Sequence, residues 1–230
     1  MRSIGSITLL LALLCVSCAT GGQARASYSQ QQQEGALRSA LVQASVQVDP
    51  DLFSRIPVES YLGDQAKAMA EHSEIPLIRD RLESWKTAMA ELFRQAAVQS
   101  KIQVEEYASS LVIEDPDKLM ERDDGMSSLL EEQVGGQWQA AINQQLEPGL
   151  TEQLRTLSTI ATDYEIWARG KQATNSGSYP AITLPSIEDF CLFFHDQFLA
   201  ELKKEEIDVR TTPRPLGTGS LYEFFSGRNP

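Results

Sequence analysis

From about residue 30 onward, apolar residues recur every three or four positions through most of the chain. This spacing places them along one side of an α-helix, with polar residues on the other sides. The clearest example covers Leu77–Ala96, where charged residues such as Arg81 and Lys86 occupy other faces. No alternating run of β-branched residues is longer than four, and Ala181–Leu184 is the nearest approach to a strand. The pattern predicts an all-α fold, an irregular bundle of seven or eight helices in a single domain.

Proline and capping residues divide this pattern into separate elements. A first helix begins near Gln30 and ends at Asp49-Pro50. A second is expected over residues 60–72, with Leu62 and Met69 facing inward. Asp115-Pro116 predicts a helix cap followed by a short helix, because proline at the first helical position needs no backbone donor.

The second half of the chain contains stronger helix breakers. Gly135-Gly136 is expected to weaken or break a helix over Met126–Leu146. Pro148-Gly149 is expected to kink this helix or to divide it from a following helix over Leu150–Trp167. Residues 169–184 are expected to form the one long polar loop.

The last predicted helix is the most apolar. It opens at Pro185-Ser186 and runs to about Ile207. Its run Phe190–Phe194 is apolar on nearly all sides, which is typical of a helix at the centre of a bundle. Its far end carries charges spaced close to a lattice of i,i+4 pairs, which predicts a solvent-exposed face: Glu201, Lys203, Lys204, Glu205, Glu206 and Arg210.

The N-terminus has the three parts of a secretory signal: Arg2, an apolar stretch over residues 7–16, and small residues after it. The apolar stretch is too short for a stable transmembrane helix. Val16-Ser17-Cys18 resembles a bacterial lipobox, which implies a signal over residues 1–17 and a lipid on Cys18. The alternative is an ordinary signal peptide cut near Ala19 or Ala26. The same resemblance concerns Ala19, which directly follows the lipidated Cys. In Gram-negative bacteria a residue of this kind there is similar to a signal that sorts the lipoprotein to the outer membrane.

Residues 18–29 are rich in Gly, Ala and Ser and are expected to form a flexible tether. The helical domain then covers residues 30–230. This organisation makes the membrane the first predicted partner, reached through the N-terminal lipid.

The chain is acidic, with 20 Lys and Arg against 32 Asp and Glu and a formal net charge of −12. Nucleic-acid binding requires basic residues that neutralise phosphates, so we predict no nucleic-acid partner. The same charge disfavours adsorption to anionic lipid headgroups.

Cys191 and His195 are four residues apart and therefore share one helix face, with Asp196 adjacent. A Cys–His nucleophile pair requires a partly exposed thiolate and a third group that orients the base. Here the pair lies within an apolar run, which favours a buried thiol that packs as a small hydrophobe. No GxSxG, HExxH or P-loop motif is present. The sequence predicts no catalytic residue and no cofactor, and it leaves open whether the chain is an enzyme.

Two groups of carboxylates have some character of a metal site. Acidic residues crowd positions 114–124, and Ca²⁺ takes six to eight oxygen ligands from such loops. The EF-hand spacing is absent, and Lys118 and Arg122 interrupt the run, which favours a solvated helix with caps. Glu201 and Glu205 are spaced like helical ligands but have no accompanying His. We predict no metal site and leave cation binding by residues 114–124 open.

Four aromatic residues lie on the inward stripes of predicted helices: Trp85, Trp138, Tyr164 and Trp167. They either pack in the core or line a cavity between helices that holds an apolar ligand. His72, near a helix end, is expected at the surface.

Four local patterns carry a family resemblance: EGALRSAL from Glu34, LIRDRLESWKTAMAELFRQAA from Leu77, the segment 119–154, and FLAELKKEEIDVRTT from Phe198. In this order they resemble the bacterial family called domain of unknown function 4197, from about Glu34 to Gly227. The resemblance implies an exported, helical lipoprotein domain, and it implies no particular activity.

These features together predict a membrane-anchored lipoprotein of the cell envelope, facing the periplasm from the outer membrane if the source is Gram-negative. Its expected role is a non-catalytic binding or assembly module for another envelope protein. The alternatives are a carrier of an apolar ligand and an enzyme of the periplasm.

Overall fold

The computed structural model describes residues 28–64, 66–71, 76–174, 179, 181–212 and 224–225. These residues form helices and connections without a strand, which confirms the all-α prediction. The export signal, Cys18, most of the tether and His72 lie outside the described residues. The helices are α1 (Gln30–Gln47), a 3₁₀ helix (Pro50–Arg55), α2 (Val58–Leu62), α3 (Ala68–Glu71), α4 (Pro76–Ser110), α5 (Pro116–Met120), α6 (Gly125–Thr174) and α7 (Ile187–Thr211).

The two longest helices, α4 and α6, form an antiparallel pair. Near the start of α4, Arg81 forms an ion pair with Asp163 near the end of α6. Further along, the Trp85 indole N–H donates to the Gln153 carbonyl at 3.0 Å. Residue numbers therefore increase along α4 in the direction in which they decrease along α6. Helices α1 and α7 pack against this pair and complete the bundle.

The predicted division of the 126–167 region is wrong, because α6 is one continuous helix of 50 residues. Proline cannot donate the usual hydrogen bond to the carbonyl four residues earlier. Pro148 and Gln144 both face solvent, where water can satisfy that carbonyl. Buried Ile142, Leu146 and Leu150 hold the helix on the core on either side of the proline. Packing of the apolar face thus outweighs the local breakers.

Two other predicted boundaries are also wrong. The segment 60–72 does not form one helix, because the chain turns at Gly63, whose φ of +64° is a conformation that favours glycine. Residues Ala66 and Met69 are nevertheless buried as expected. The polar loop after α6 is shorter than predicted, since the helix continues to Thr174.

Helix α7 is not buried on all sides, so the prediction of a central helix is wrong: one face packs on the core, while Leu192 within the apolar run is 39 % exposed. Ser186 caps its start, accepting from the Asp189 N–H, while the Asp189 carboxylate accepts from the Ser186 N–H. Phe194 stacks on Phe53 with ring centroids 5.0 Å apart. The buried face of α7 contacts α6 and α1 along most of its length. The helix ends at Thr211, one turn beyond the predicted Ile207.

The aromatic stripes pack within the core. Trp85, Trp138 and Tyr164 are buried, and Trp167 is half-buried. Trp138 meets the Phe198 ring edge-on at 5.6 Å. These aromatics therefore fill the interior between helices, as expected for core packing.

The chain enters the bundle at one end. The Gln33 amide donates to Asp117 of α5, and the Arg38 guanidinium donates to the carbonyls of Ala108 and Leu111 at the end of α4. The ring of Tyr28, just before α1, lies 4.4 Å from that of Phe224. We call this the entry end of the bundle. None of the described helices has the length and apolar character needed to cross a membrane.

Candidate functional site

The Cys191–His195 pair is part of the core. The Cys191 side chain is 1 % exposed, and burial, aided by the charges of Glu147 and Glu188, raises the pKa of its thiol to about 11. His195 is also buried and meets the Trp138 ring edge-on at 5.2 Å. A thiol that stays protonated and has no access to solvent is a poor nucleophile. The geometry supports a packing role for this pair.

The acidic segment 114–124 uses its carboxylates in local contacts. Asp115 caps α5 by accepting from the Lys118 N–H, and Asp117 accepts from the Gln33 amide. Asp124 accepts from the Ser128 hydroxyl, 3.2 Å away. Within the described ranges, no group of three or more His, Cys, Asp or Glu residues could hold a metal ion.

The predicted solvent-exposed face at the end of α7 is correct for Lys204, which pairs with Glu201 at the surface. It is wrong for Glu206 and Arg210. The Glu206 side chain is 0 % exposed and that of Arg210 is 3 % exposed, and the two are joined at 3.0 Å. The spacing of charges along α7 could not distinguish this buried pair from its exposed neighbours, because both have i,i+4 geometry.

The Glu206 carboxylate caps the start of α6. It accepts from the Met126 N–H at 3.0 Å, from the Ser127 N–H at 2.7 Å and from the Ser127 hydroxyl at 2.6 Å. The first N–H groups of a helix have no partner within the helix and attract negative charge. Burial raises the pKa of Glu206, while the bonds from Ser127 and the charge of Arg210 act in the opposite direction.

The Arg210 guanidinium binds the connection before α6. It donates to the carbonyls of Asp123 and Met120, both at 3.0 Å, and to that of Leu119 at 3.3 Å. The Phe225 ring lies 5.0 Å from the guanidinium carbon. The pair Glu206–Arg210 therefore fastens α5, α6 and α7 together at the entry end and has no exposed atom to offer a substrate.

A surface groove lies toward the opposite end, between the end of α2, the residues before α7 and the first turn of α7. Its volume is about 390 Å³, which lies within the range of small-ligand pockets, roughly 300–1,000 Å³. We call it the α2–α7 groove. Six apolar residues line it: Leu184, Pro185 and Phe193 are partly exposed, whereas Tyr61, Leu62 and Phe190 are buried behind them.

The walls of this groove are held by the core behind them. The Tyr61 hydroxyl donates to the Phe53 carbonyl at 2.5 Å, which fixes the ring. The Phe193 ring lies 5.2 Å from that of Tyr61, and the Phe190 ring lies 6.0 Å from that of Trp85. The apolar surface is therefore preformed on packed elements.

The rim of the α2–α7 groove is acidic. Asp64 and Asp189 both line it. A hydrogen bond and the charge of Lys67 lower the pKa of Asp64, and hydrogen bonds from Ser186 lower that of Asp189. Both carboxylates are therefore ionised at neutral pH. The groove combines apolar surface with fixed negative charge.

A second, smaller cavity of about 240 Å³ lies between the 3₁₀ helix and α4. Two cations line it, Lys86 and Arg94, and the Arg94 guanidinium donates to both carboxylate oxygens of Glu91 at 2.7 Å. Asp51 and Glu91 add negative charge to the same surface. This cavity has little apolar surface, so the α2–α7 groove is the better candidate for binding.

Sequence reasoning did not find the α2–α7 groove. The sequence places Phe190 in an apolar run typical of a buried helix and Leu184 in a predicted polar loop, and it gives no signal for Tyr61. The one usable signal was Ala181–Leu184, which was recognised as the nearest approach to a strand.

Comparison with known proteins returned no similarity: no family model, no curated protein and no solved structure matches this chain. The resemblance to domain of unknown function 4197 therefore stays a prediction that depends on its four local patterns.

Proposed function

We propose that this chain is an envelope lipoprotein whose helical domain is a non-catalytic binding module. The lipid on Cys18 would hold it at a membrane, and the α2–α7 groove would bind a partner protein of the envelope. The lipobox-like Val16-Ser17-Cys18 supports the anchor. The buried, protonated Cys191 supports the non-catalytic part, because it removes the clearest candidate nucleophile.

The observation that carries the proposal is the placement of the groove relative to the entry end. Arg38 of α1 binds Ala108 near the end of α4, while Phe190 in the groove contacts Trp85. At 1.5 Å per residue, Trp85 lies about 35 Å from Ala108 along α4. Phe93, whose ring meets those of the groove residues Tyr61 and Phe193, lies about 23 Å from Ala108. A chain tethered through residues 18–29 would therefore present its groove away from the membrane surface.

The anchor is tested by mass spectrometry of the protein from its native host and by membrane fractionation. We expect an acylated Cys18 as the first residue and membrane association that Cys18→Ser abolishes. A soluble protein that begins near Ala19 or Ala26 without a lipid would refute the anchor.

The binding module is tested by photo-crosslinking in intact cells. A photoreactive amino acid at Thr183, on the groove, should capture a discrete envelope protein. The same residue at Glu105, an exposed position on α4 near the entry end, should not. A lipid crosslinked at Thr183 would instead support the alternative role as a carrier of an apolar ligand, and the absence of any adduct would contradict the proposal.

A further inference from the structure

The backbone beside the α2–α7 groove is open to pairing. Ala181–Leu184 alternate between exposed and half-buried positions, a period of two that is typical of an extended chain. Leu184 precedes Pro185, and a following proline disfavours the helical conformation. The N–H and C=O groups of Thr183 and Leu184 make no hydrogen bond to the described part of the chain.

An exposed extended segment of this kind binds peptides by strand addition. The partner's main chain pairs with the free N–H and C=O groups, and its alternate side chains enter adjacent pockets. Leu184 belongs both to the extended segment and to the apolar surface of the groove. A peptide paired along Ala181–Leu184 would therefore place a side chain in the groove.

The negative charges at the rim of the groove favour basic residues next to the inserted side chain in the peptide. Asp64 is 92 % exposed, and its Oδ2 atom is available beside the oxygen that binds Lys67. Asp189 gives a second carboxylate on the other side of the groove. The surrounding chain is acidic overall, with a net charge of −12. Complementary charge on a partner raises its association rate and suppresses acidic competitors.

We propose that the α2–α7 groove binds an extended, basic peptide segment of a partner protein. The segment places one large apolar or aromatic side chain against the partly exposed Leu184, Pro185 and Phe193, and it places Lys or Arg beside Asp64 and Asp189. This inference rests on the proposed binding function and adds the chemical class of the partner.

The test is selection from a phage library of random peptides on the full mature protein in detergent micelles. Selected sequences are then measured by fluorescence anisotropy. We expect enrichment of one large apolar residue flanked by Lys or Arg, and weaker binding at high salt, because exposed charges are screened.

Three variants locate the peptide. Leu184→Asp should weaken binding roughly tenfold or more by placing a charge against the inserted side chain. Thr183→Pro removes a main-chain donor and should also weaken binding. Asp64→Lys should weaken it about fivefold, whereas the matched control Glu105→Lys at the entry end should leave it unchanged. Circular dichroism of each variant verifies that the bundle is folded.

Acidic or purely apolar selected peptides, or equal binding by Asp64→Lys and Glu105→Lys, would overturn the inference. These results would leave the proposed function intact if photo-crosslinking at Thr183 still captured an envelope protein. Basic peptides that lose affinity with both Leu184→Asp and Asp64→Lys would support the inference even if the lipid anchor proved wrong.

Discussion

Two polar side chains of α7 are buried for different physical reasons. Cys191 packs as a small apolar group among aromatic rings. Glu206 is charged and buried because three donors from the start of α6 and the Arg210 guanidinium replace the water it loses. Cys191 needs no hydrogen-bond partner, whereas the burial of Glu206 depends on all of these donors.

At the residue scale, we expect the Cys191 thiol to be unreactive in the folded protein. With a pKa raised to about 11 and 1 % exposure, it has almost no thiolate at pH 8. Titration with Ellman's reagent at pH 8 of a variant that lacks residues 1–18, and so keeps Cys191 alone, should therefore detect no fast-reacting thiol. The thiol should appear on addition of denaturant, which serves as the control. Rapid reaction in native buffer would contradict the buried position.

Removing the Glu206 carboxylate should be strongly destabilising. Glu206→Ala leaves Arg210 buried without its counter-charge and the first N–H groups of α6 without an acceptor. The expected loss in the free energy of unfolding is about 3 kcal/mol or more. The measurement is urea denaturation followed by circular dichroism.

The matched control is Glu201→Ala on the same helix, which breaks only the surface pair with Lys204. Its expected cost is about 1 kcal/mol or less. The double variant Glu206→Ala with Arg210→Ala should lose less stability than the two single variants together, because the partners act as a unit. Equal costs for Glu206→Ala and Glu201→Ala would be inconsistent with the buried pair.

At the scale of single helices, the glycines of α6 differ in what surrounds them. A Cβ atom at Gly125 would lie 2.4 Å from the Leu119 carbonyl oxygen, which is a backbone atom that cannot rotate away. A Cβ atom at Gly136 would have nothing within 4 Å. The first glycine permits a close approach of α5 to α6, and the second only weakens the helix.

The same substitution should therefore have opposite effects at these two positions. Gly136→Ala should stabilise the protein by about 0.5–1 kcal/mol, because alanine is the better helix former. Gly125→Ala should destabilise it by about 1–3 kcal/mol, because the backbone has to move. Thermal unfolding of both variants is the measurement. A stabilising Gly125→Ala would show that α5 does not sit as closely on α6 as described.

At the scale of the whole molecule, the two ends of the bundle differ. The entry end gathers the start of α1, the end of α4, α5 and the end of α7, together with Phe224 and Phe225. The α2–α7 groove packs on Trp85 and Phe93, about 23–35 Å further along α4 by helix rise. The two ends can therefore be tested separately.

The entry end and the α2–α7 groove should therefore lie at different distances from a membrane to which the protein is anchored. A donor dye placed on Glu114→Cys, at the entry end, should transfer energy to an acceptor lipid more efficiently than a dye on Asp64→Cys at the groove. Both positions are exposed, and the buried Cys191 should not compete for the label. The measurement uses the acylated protein in vesicles. Equal transfer from both positions would contradict a groove that faces away from the membrane.

Much of the fold was predictable from local signals. The apolar stripe from Leu77 onward, the Asp115-Pro116 cap and the opening of α7 at Pro185-Ser186 all correspond to observed helices. Each of these depends on residues within a few positions of one another, so a single chain segment contains the whole signal. The acidic net charge follows from composition alone.

The buried pair, the continuous α6 and the candidate site all depend on residues far apart in the chain. Glu206 is buried only because Met126 and Ser127, about 80 positions earlier, bring their N–H groups to it. Helix α6 continues through Pro148 because its apolar face is packed on both sides of the proline. The α2–α7 groove exists because the end of α2 lies beside Phe190, which is far from it in the sequence. Burial and packing arise between segments, and only the folded bundle brings those segments together.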